Sequence, residues 1–157
     1  LIDAHLGVTR QLVEAYERHG ASMLAVQDVP PDETSRYGIV ASTALDDRVE
    51  RVTAMVEKPK PGDAPSTLAV VGRYVLRPEI FDELLTTERG SGGEIQLTDA
   101  IARRIRHGEV MAHRFSGTRF DCGNKQGFLA ANIAFARKQG ILAPRRADDP
   151  ESISFAA

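Results

Sequence analysis

An acid and a base stand side by side where a predicted strand gives way to a proline-rich loop. Glu57 and Lys58 follow the apolar pattern of residues 49–56, and Lys58 opens the loop of residues 58–65. Proline fixes φ at about −65°, so the loop is expected to be stiff. A carboxylate at a strand end can accept hydrogen bonds from sugar hydroxyls, and an ammonium can neutralise a phosphate. The pair is a candidate to hold two parts of one ligand, although a solvated surface pair has the same composition.

Two glycines on predicted strands could let a ligand approach the backbone. Gly38 opens one strand, and Gly72 interrupts another, residues 68–76, directly after Val70 and Val71. A residue without a Cβ atom leaves its backbone open to close approach. A plain turn at Gly38 and a β-bulge at Gly72 would use the same residues, so both alternatives stay open.

Asp121 lies between a predicted strand, residues 109–115, and a predicted helix, residues 124–139. An acid in this place could bind Mg²⁺, which typically takes one or two carboxylates and fills its other positions with phosphate and water. A helix cap is the alternative. The neighbouring Cys122 has no histidine near it in sequence, so we expect a small buried hydrophobe rather than a nucleophile.

Hydrophobic periodicity predicts the elements that must position these residues, and they alternate as in an α/β domain. In order they are a helix (6–19), four strands (22–29, one beginning at 37, 49–56 and 68–76), two helices (78–85 and 94–107), a strand (109–115) and a helix (124–139). Ala100, Ile101 and Ile105 are predicted to face the sheet, together with Ile95 or Leu97. Residues 1–140 are expected to form one domain and residues 141–157 a loose tail.

Composition narrows the class of protein. The chain has 157 residues, a formal net charge of −2 and one cysteine. The balanced charge argues against a nucleic-acid partner, and the absence of an apolar run of about 20 residues argues against a membrane span. A single cysteine cannot form an internal disulfide, so we expect a reduced, cytoplasmic protein.

Three blocks in the chain resemble, in order and spacing, the C-terminal half of the bacterial UTP–glucose-1-phosphate uridylyltransferases. They are residues 56–74, which begin Val-Glu-Lys-Pro, residues 93–100, which read Gly-Glu-Ile-Gln-Leu-Thr-Asp-Ala, and residues 120–127, which read Phe-Asp-Cys-Gly-Asn-Lys-Gln-Gly. The resemblance runs from about residue 6 to residue 140. The related thymidylyltransferases are similar only in the Glu-Lys-Pro and Asp-x-Gly elements.

The resemblance implies a Rossmann-like nucleotidyltransferase fold, a layered α/β/α arrangement with a mixed sheet. It also implies a Mg²⁺-dependent reaction in which glucose 1-phosphate attacks UTP, giving UDP-glucose and pyrophosphate. Glu57 would hold glucose hydroxyls, and Lys58 would contact the sugar-linked phosphate as the catalytic cation. The backbone of Gly38 and of residues 70–72 (Val70, Val71 and Gly72) would line the sugar pocket, and Asp121 would lie beside the metal. Such proteins tend to form homodimers or homotetramers through their C-terminal elements.

The family's first half is not found in this sequence. Its Gly-x-Gly-Thr-Arg loop, which cradles the triphosphate, and its earlier metal-binding Asp have no counterpart here. The chain is therefore expected to carry the sugar-phosphate half of the site, to expose an apolar sheet edge, and to lack turnover by itself. The alternatives are a sugar-1-phosphate nucleotidyltransferase that uses dTTP, and a non-catalytic module for sugar-nucleotide binding or oligomerisation.

Overall fold

The structure, a computed structural model, describes residues 1–60, 62–89 and 93–143. Its elements are β1 (Ile2–Asp3), α1 (Val8–His19), β2 (Ser22–Asp28), a short 3-10 helix (Pro31–Arg36), β3 (Gly38–Ala44), β4 (Val49–Glu57), β5 (Leu68–Val75), α2 (Ile80–Leu85), α3 (Leu97–Ile105), β6 (Val110–Arg114), β7 (Thr118–Arg119) and α4 (Lys125–Lys138). The predicted helices and strands are all present, whereas the 3-10 helix and the β1–β7 pair were not predicted. The middle of the proline loop (Pro61), the glycines near residue 91 and most of the predicted tail lie outside the described residues.

The elements form two compact units. The larger is Leu6–Ser116, and the smaller combines Leu1–His5 with the chain from Gly117 onward. Each unit is described by itself below, and a single domain over residues 1–140 stays a prediction.

Five strands of the larger unit form one mixed sheet, as predicted. Their order is β2-β5-β3-β4-β6, and the sheet closes because β6 pairs with β2 in parallel and with β4 antiparallel. The predicted exposed edge is wrong for these described strands, because β6 fills the position between β2 and β4. Closure removes the unpaired backbone groups that an open edge would present.

Helices cover the sheet on both faces. Residues 22–26 of β2 are all buried, which explains the apolar run of residues 23–26 in this strand. On one face α2 and α3 contribute Ile80, Ala100, Ile101 and Ile105 to a core shared with alternate residues of the strands. On the other face α1 packs against β2 and β5. Burial of this apolar surface is the main stabilising term for the unit.

Helix α3 begins later than its pattern suggests. Gln96 precedes its first turn in an extended conformation, and Ile95, one of the two residues predicted to begin the inward face, is 52% exposed. The inward face of α3 therefore starts at Leu97, which packs against the core. This placement sets Thr98 in the first turn of the helix.

The smaller unit is built on the β1–β7 pair and α4. Asn124 caps α4, because its side-chain oxygen accepts a hydrogen bond from the Gly127 N–H at 2.7 Å. Ala131 is the one buried residue of α4, and Phe128 and Leu129 are exposed. Within the described residues, the structure has no helix both long and apolar enough to cross a membrane.

Arg114 joins three strands of the larger unit. Its guanidinium donates to Glu50 of β4 and, at 2.5 Å, to Asp28 at the end of β2. Hydrogen bonds from Arg114 and Thr67 lower the pKa of Asp28. Burial raises the pKa of Glu50, but hydrogen bonds from Ser42 and Arg114, with the charge of Arg114, outweigh it and the pKa is lowered. Both carboxylates therefore stabilise the fold in their ionised form.

We predict that Arg114→Met lowers the free energy of unfolding at pH 7 by about 1–2 kcal/mol, with most of the loss at the less exposed Glu50, since solvent screens Asp28. A carboxyl whose pKa is lowered by folding stabilises above its unfolded pKa and loses this effect as pH falls through its folded pKa. The difference between wild type and variant should therefore shrink below about pH 4. Urea unfolding at pH 7 and pH 3 measures it. Arg10→Met is the control, because it removes only an exposed ion pair with Glu14. It should leave the free energy of unfolding unchanged at both pH values. A loss of equal size at pH 7 and pH 3 for Arg114→Met would contradict the prediction.

Candidate functional site

The Glu57 carboxylate lies directly over Gly38. The two residues are paired across β3 and β4. The Lys58 N–H donates to the Tyr37 carbonyl at 3.0 Å, so Gly38 and Glu57 form the next, non-hydrogen-bonded position, where side chains approach most closely. A Cβ atom at residue 38 would lie 2.9 Å from Glu57 Oε2 and 3.0 Å from Met55 Cε. Glycine at position 38 therefore leaves room for the ends of the Glu57 and Met55 side chains.

Lys58 has an unusual backbone conformation. Among the described residues it is the one non-glycine residue with positive φ, at 45°. This region costs an L-residue roughly 1–2 kcal/mol, and such strain often accompanies functional sites. The alternation of an extended strand, which would send Glu57 and Lys58 to opposite sides, ends here. Lys58 is exposed while the following Pro59 is buried, so the turn presents the ammonium to solvent.

Strand β5 passes on the other side of Gly38. Ile39 pairs with Ala69, and continuing this antiparallel register brings Val70 beside Gly38. The register with β2 then shifts, so that residues 71–73 lie opposite Ala25 alone. This bulge has the exposed Gly72 at φ 70°. Bulges are frequent next to active sites, where they redirect a strand.

The predicted residues of the larger unit are thus brought together. Gly38, Glu57, Lys58 and Val70 meet where β4 ends, and Val71 and Gly72 form the adjoining bulge. The Val70 side chain is part of the core, and a role of its backbone in binding stays a prediction. The bulge proposed for Gly72 is present, and its role in binding stays a prediction.

Two further residues of this site were missed by the sequence reasoning. Tyr74 is half-buried, and its burial, followed by the negative charge of Glu57, raises its pKa. Thr98 of α3 has Cγ2 3.7 Å from the position of a Cβ atom at Gly38. Both residues fall inside the sequence blocks that carry the family resemblance, and this was the signal that could have identified them.

The smaller unit holds Asp121. Its Oδ1 accepts the Gly123 N–H at 3.1 Å, and its Oδ2 lies 3.7 Å from an Arg119 nitrogen. Gly127 packs so closely that a Cβ atom there would lie 2.0 Å from the Asp121 carbonyl oxygen. The cap of α4 is Asn124, so Asp121 does not have the alternative role of helix cap. The Asp121 loop is therefore held in place by its neighbours.

Asp121 is the candidate metal ligand of this loop. The Asp121 carboxylate suits Mg²⁺ in chemistry, since the ion prefers oxygen ligands and accepts one carboxylate with phosphate and water. In the part of the chain that the structure describes, no three His, Cys, Asp or Glu residues are grouped to hold a metal. Asp121 fits as one ligand of a site completed by phosphate oxygens and by groups not described here. The adjacent Cys122 is exposed, so its prediction as a buried hydrophobe is wrong.

Comparison with known protein families and curated sequences gives one consistent result. The model of the nucleotidyl transferase family matches residues 3–138. A UTP–glucose-1-phosphate uridylyltransferase of Pseudomonas aeruginosa is 49% identical over 124 residues, covering 79% of this chain and 44% of that protein. One from Staphylococcus epidermidis is 46% identical over 138 residues, covering 88% of this chain and 48% of that protein. The chain spans about half the length of the curated relatives it matches.

Solved structures agree with the sequence relatives. A UDP-glucose pyrophosphorylase complexed with UDP-glucose superposes with a TM-score of 0.83 at 38% identity, over 88% of this chain and 53% of that chain. A UTP-bound UGPase from Acinetobacter baumannii superposes with a TM-score of 0.75 at 34% identity, over 92% of this chain and 54% of that chain. The predicted fold, a mixed sheet with helices of the nucleotidyltransferase type, is confirmed.

We predict that Gly38→Ala destabilises the protein by about 1 kcal/mol, because the new methyl group displaces the Glu57 carboxylate, which is the end of a flexible side chain. The matched test is a double-mutant cycle with Glu57→Ala, read by urea unfolding. Once Glu57 is truncated, Gly38→Ala should cost much less, since the flexible Met55 end can move aside. An equal cost in both backgrounds would show that Glu57 is not what requires glycine at position 38.

Proposed function

Because the chain belongs to the nucleotidyl transferase family, we propose that it forms the sugar-phosphate half of an enzyme that transfers uridylyl from UTP to glucose 1-phosphate, giving UDP-glucose and pyrophosphate. The observation that carries this proposal is the Glu57 carboxylate over Gly38 with the Lys58 ammonium at the same strand end. Relatives of this name support the choice of substrates. The activity is proposed for the complete gene product.

Glu57 is proposed to hold the sugar. An ionised carboxylate accepts hydrogen bonds through two oxygens, which suits the vicinal hydroxyls of a hexose. Its backbone is positioned by β4, and the glycine opposite it leaves room for the carboxylate. The backbone beside Gly38 and Val70 forms the neighbouring wall of the pocket. This geometry supports a rigid hydroxyl-binding site on the sheet.

Lys58 is proposed to neutralise the phosphate of glucose 1-phosphate. In the reaction a phosphate oxygen of the sugar forms a bond to the α-phosphorus of UTP, and the bond from that phosphorus to the pyrophosphate oxygen breaks. Two anions must approach each other, so a positioned cation stabilises the transition state. Because a turn holds the Lys58 backbone next to Glu57, the sugar and its phosphate can be held together.

Mg²⁺ is the divalent cation we propose for this reaction, with Asp121 as one of its protein ligands. When bound, the ion supplies neutralisation of the triphosphate charge. The Asp121 carboxylate is oriented for this role by the Gly123 N–H and by the close packing of Gly127.

The exposed Phe128 and Ile141 of the smaller unit support a homo-oligomer as a further proposal. The need for nucleoside triphosphate supports a cytoplasmic location, also as a proposal.

We predict that Lys58→Ala lowers kcat/KM for glucose 1-phosphate at least about 100-fold in the complete gene product, with the fold intact. Pyrophosphate release with UTP, glucose 1-phosphate and Mg²⁺ measures the rate. Lys60→Ala, an exposed lysine of the same loop, is the matched control and should keep wild-type activity.

Lys58→Gly separates loss of the ammonium group from the effect of the positive φ angle on stability. Glycine adopts positive φ without the Cβ penalty, so this variant should be more stable than Lys58→Ala while being equally impaired. Wild-type turnover by either Lys58 variant would argue against the proposed phosphate contact. It would favour a binding or oligomerisation module that no longer uses this lysine.

A further inference from the structure

We propose that Thr98 is a substrate-binding residue whose hydroxyl pairs with a sugar hydroxyl beside Glu57. This inference rests on the proposed function, since it names a further residue of the same pocket. Thr98 lies in the first turn of α3, in the larger unit, together with Glu57 and Gly38.

The Thr98 hydroxyl is an unsatisfied group. Its Oγ1 atom is buried and, in the described part of the chain, has no hydrogen-bond partner. Buried polar atoms in native proteins nearly always have a partner, and each exception calls for an explanation. An unpaired hydroxyl lowers the stability of the protein without ligand, so its presence is explained if a ligand supplies the missing bond.

The place of Thr98 indicates which ligand group that is. Its methyl carbon, Cγ2, and the Glu57 Oε2 atom both lie within 4 Å of the same point above Gly38. Threonine in a helix populates two χ1 rotamers. A rotation of about 120° about χ1 moves Oγ1 to the place of the methyl group and the methyl group to the place of the hydrogen atom, and this turns Oγ1 toward the space next to the Glu57 carboxylate.

The two side chains are complementary in hydrogen bonding. A carboxylate only accepts, so a sugar hydroxyl held by Glu57 uses its proton there and keeps an oxygen that can still accept. The Thr98 hydroxyl supplies the donor for this oxygen, and a chain of such bonds is mutually strengthening. Glu57 and Thr98 together would satisfy one sugar hydroxyl as both donor and acceptor.

The fold holds Thr98 firmly enough for this role. Helix α3 is anchored to the sheet by Ala100 and Ile101, both fully buried directly after Thr98. A site built on anchored helices and strands is more precise than one on loops.

A hydroxyl that must be paired also makes the pocket selective, because a sugar lacking the matching hydroxyl leaves Thr98 unsatisfied.

The test uses the complete gene product with Thr98→Val, which has the same shape without the hydroxyl, and Thr98→Ser, which keeps it. Rates are measured with UTP and either glucose 1-phosphate or its 2-, 3-, 4- and 6-deoxy analogues. We expect Thr98→Val to lower kcat/KM for glucose 1-phosphate about 10-fold, the loss of one hydrogen bond, with KM for UTP unchanged. Thr98→Ser should stay within about 3-fold of wild type. One deoxy analogue should be used equally by wild type and Thr98→Val, because its missing hydroxyl is the partner.

A second measurement separates binding from structure. Thr98→Val removes a buried unpaired hydroxyl, so the Tm of the ligand-free protein should rise, while the Tm increase caused by UDP-glucose should become smaller. A Thr98→Val protein that is as active as wild type, or that loses equally with every analogue and has a lower Tm, would overturn the inference.

Failure of the proposed function can be distinguished from failure of the Thr98 proposal by the activity of the wild-type protein. Wild type that used another sugar 1-phosphate would refute the choice of substrate, and the Thr98 comparison would be made with that sugar and its deoxy analogues. Wild type without turnover of any sugar 1-phosphate would overturn both.

Discussion

The Glu57 carboxylate occupies the space that a side chain at position 38 would fill, and the site depends on this close approach. It is favoured by glycine on β3, a non-hydrogen-bonded pairing with β4, and a strand that ends at the next residue. Lys58 meets the last condition by adopting positive φ, which ends the extended chain and brings the ammonium out to solvent. An acid and a cation are thus held at one strand end by backbone geometry. Such preorganisation lowers the entropy cost of binding a ligand that carries both hydroxyls and a phosphate.

The closed sheet explains why this strand end is rigid. The strand residues of the site lie on β3, β4 and β5. Because the sheet is closed, each of these strands has a neighbouring strand on both sides. Helix α3 packs over the same face through Ala100, Ile101 and Ile105, and its first turn reaches the Gly38 position. The contacts that pack α3 against the core therefore also place its first turn at the site. A change in α3 is expected to affect ligand binding as well as stability.

Local sequence features predicted much of this arrangement. The apolar patterns before Glu57 and in β2 each act over a few residues, and they indicate the corresponding strands directly. The start of α3 was misplaced because Ile95 continues the apolar spacing, although it lies in the exposed segment before the helix. Periodicity cannot distinguish such a residue from one that packs, since only the neighbouring strands decide.

Features that depend on residues far apart in the chain were not predictable. Closure of the sheet requires β6 to match the register of two strands, and no local pattern encodes that. The approach of the Glu57 side chain to Gly38 depends on the pairing of β3 with β4, and the role of Gly38 in ligand binding stays a prediction. The unpaired hydroxyl of Thr98 likewise follows from the position of a helix over a sheet, and threonine in a helical sequence carries no sign of it. Burial of Cys122 was inferred from residue type alone, and its exposure shows how weak that argument is for one residue.

The most direct test of the central claim is a crystal structure of the complete gene product with UDP-glucose, in which the distances from the Glu57 carboxylate oxygens to the glucosyl hydroxyls are measured. We predict at least one distance within about 3.0 Å, the range of an O–H···O hydrogen bond, with the glucosyl ring beside Gly38 and its phosphate toward Lys58. A glucosyl group bound elsewhere, with Glu57 in contact only with solvent or protein, would contradict the account.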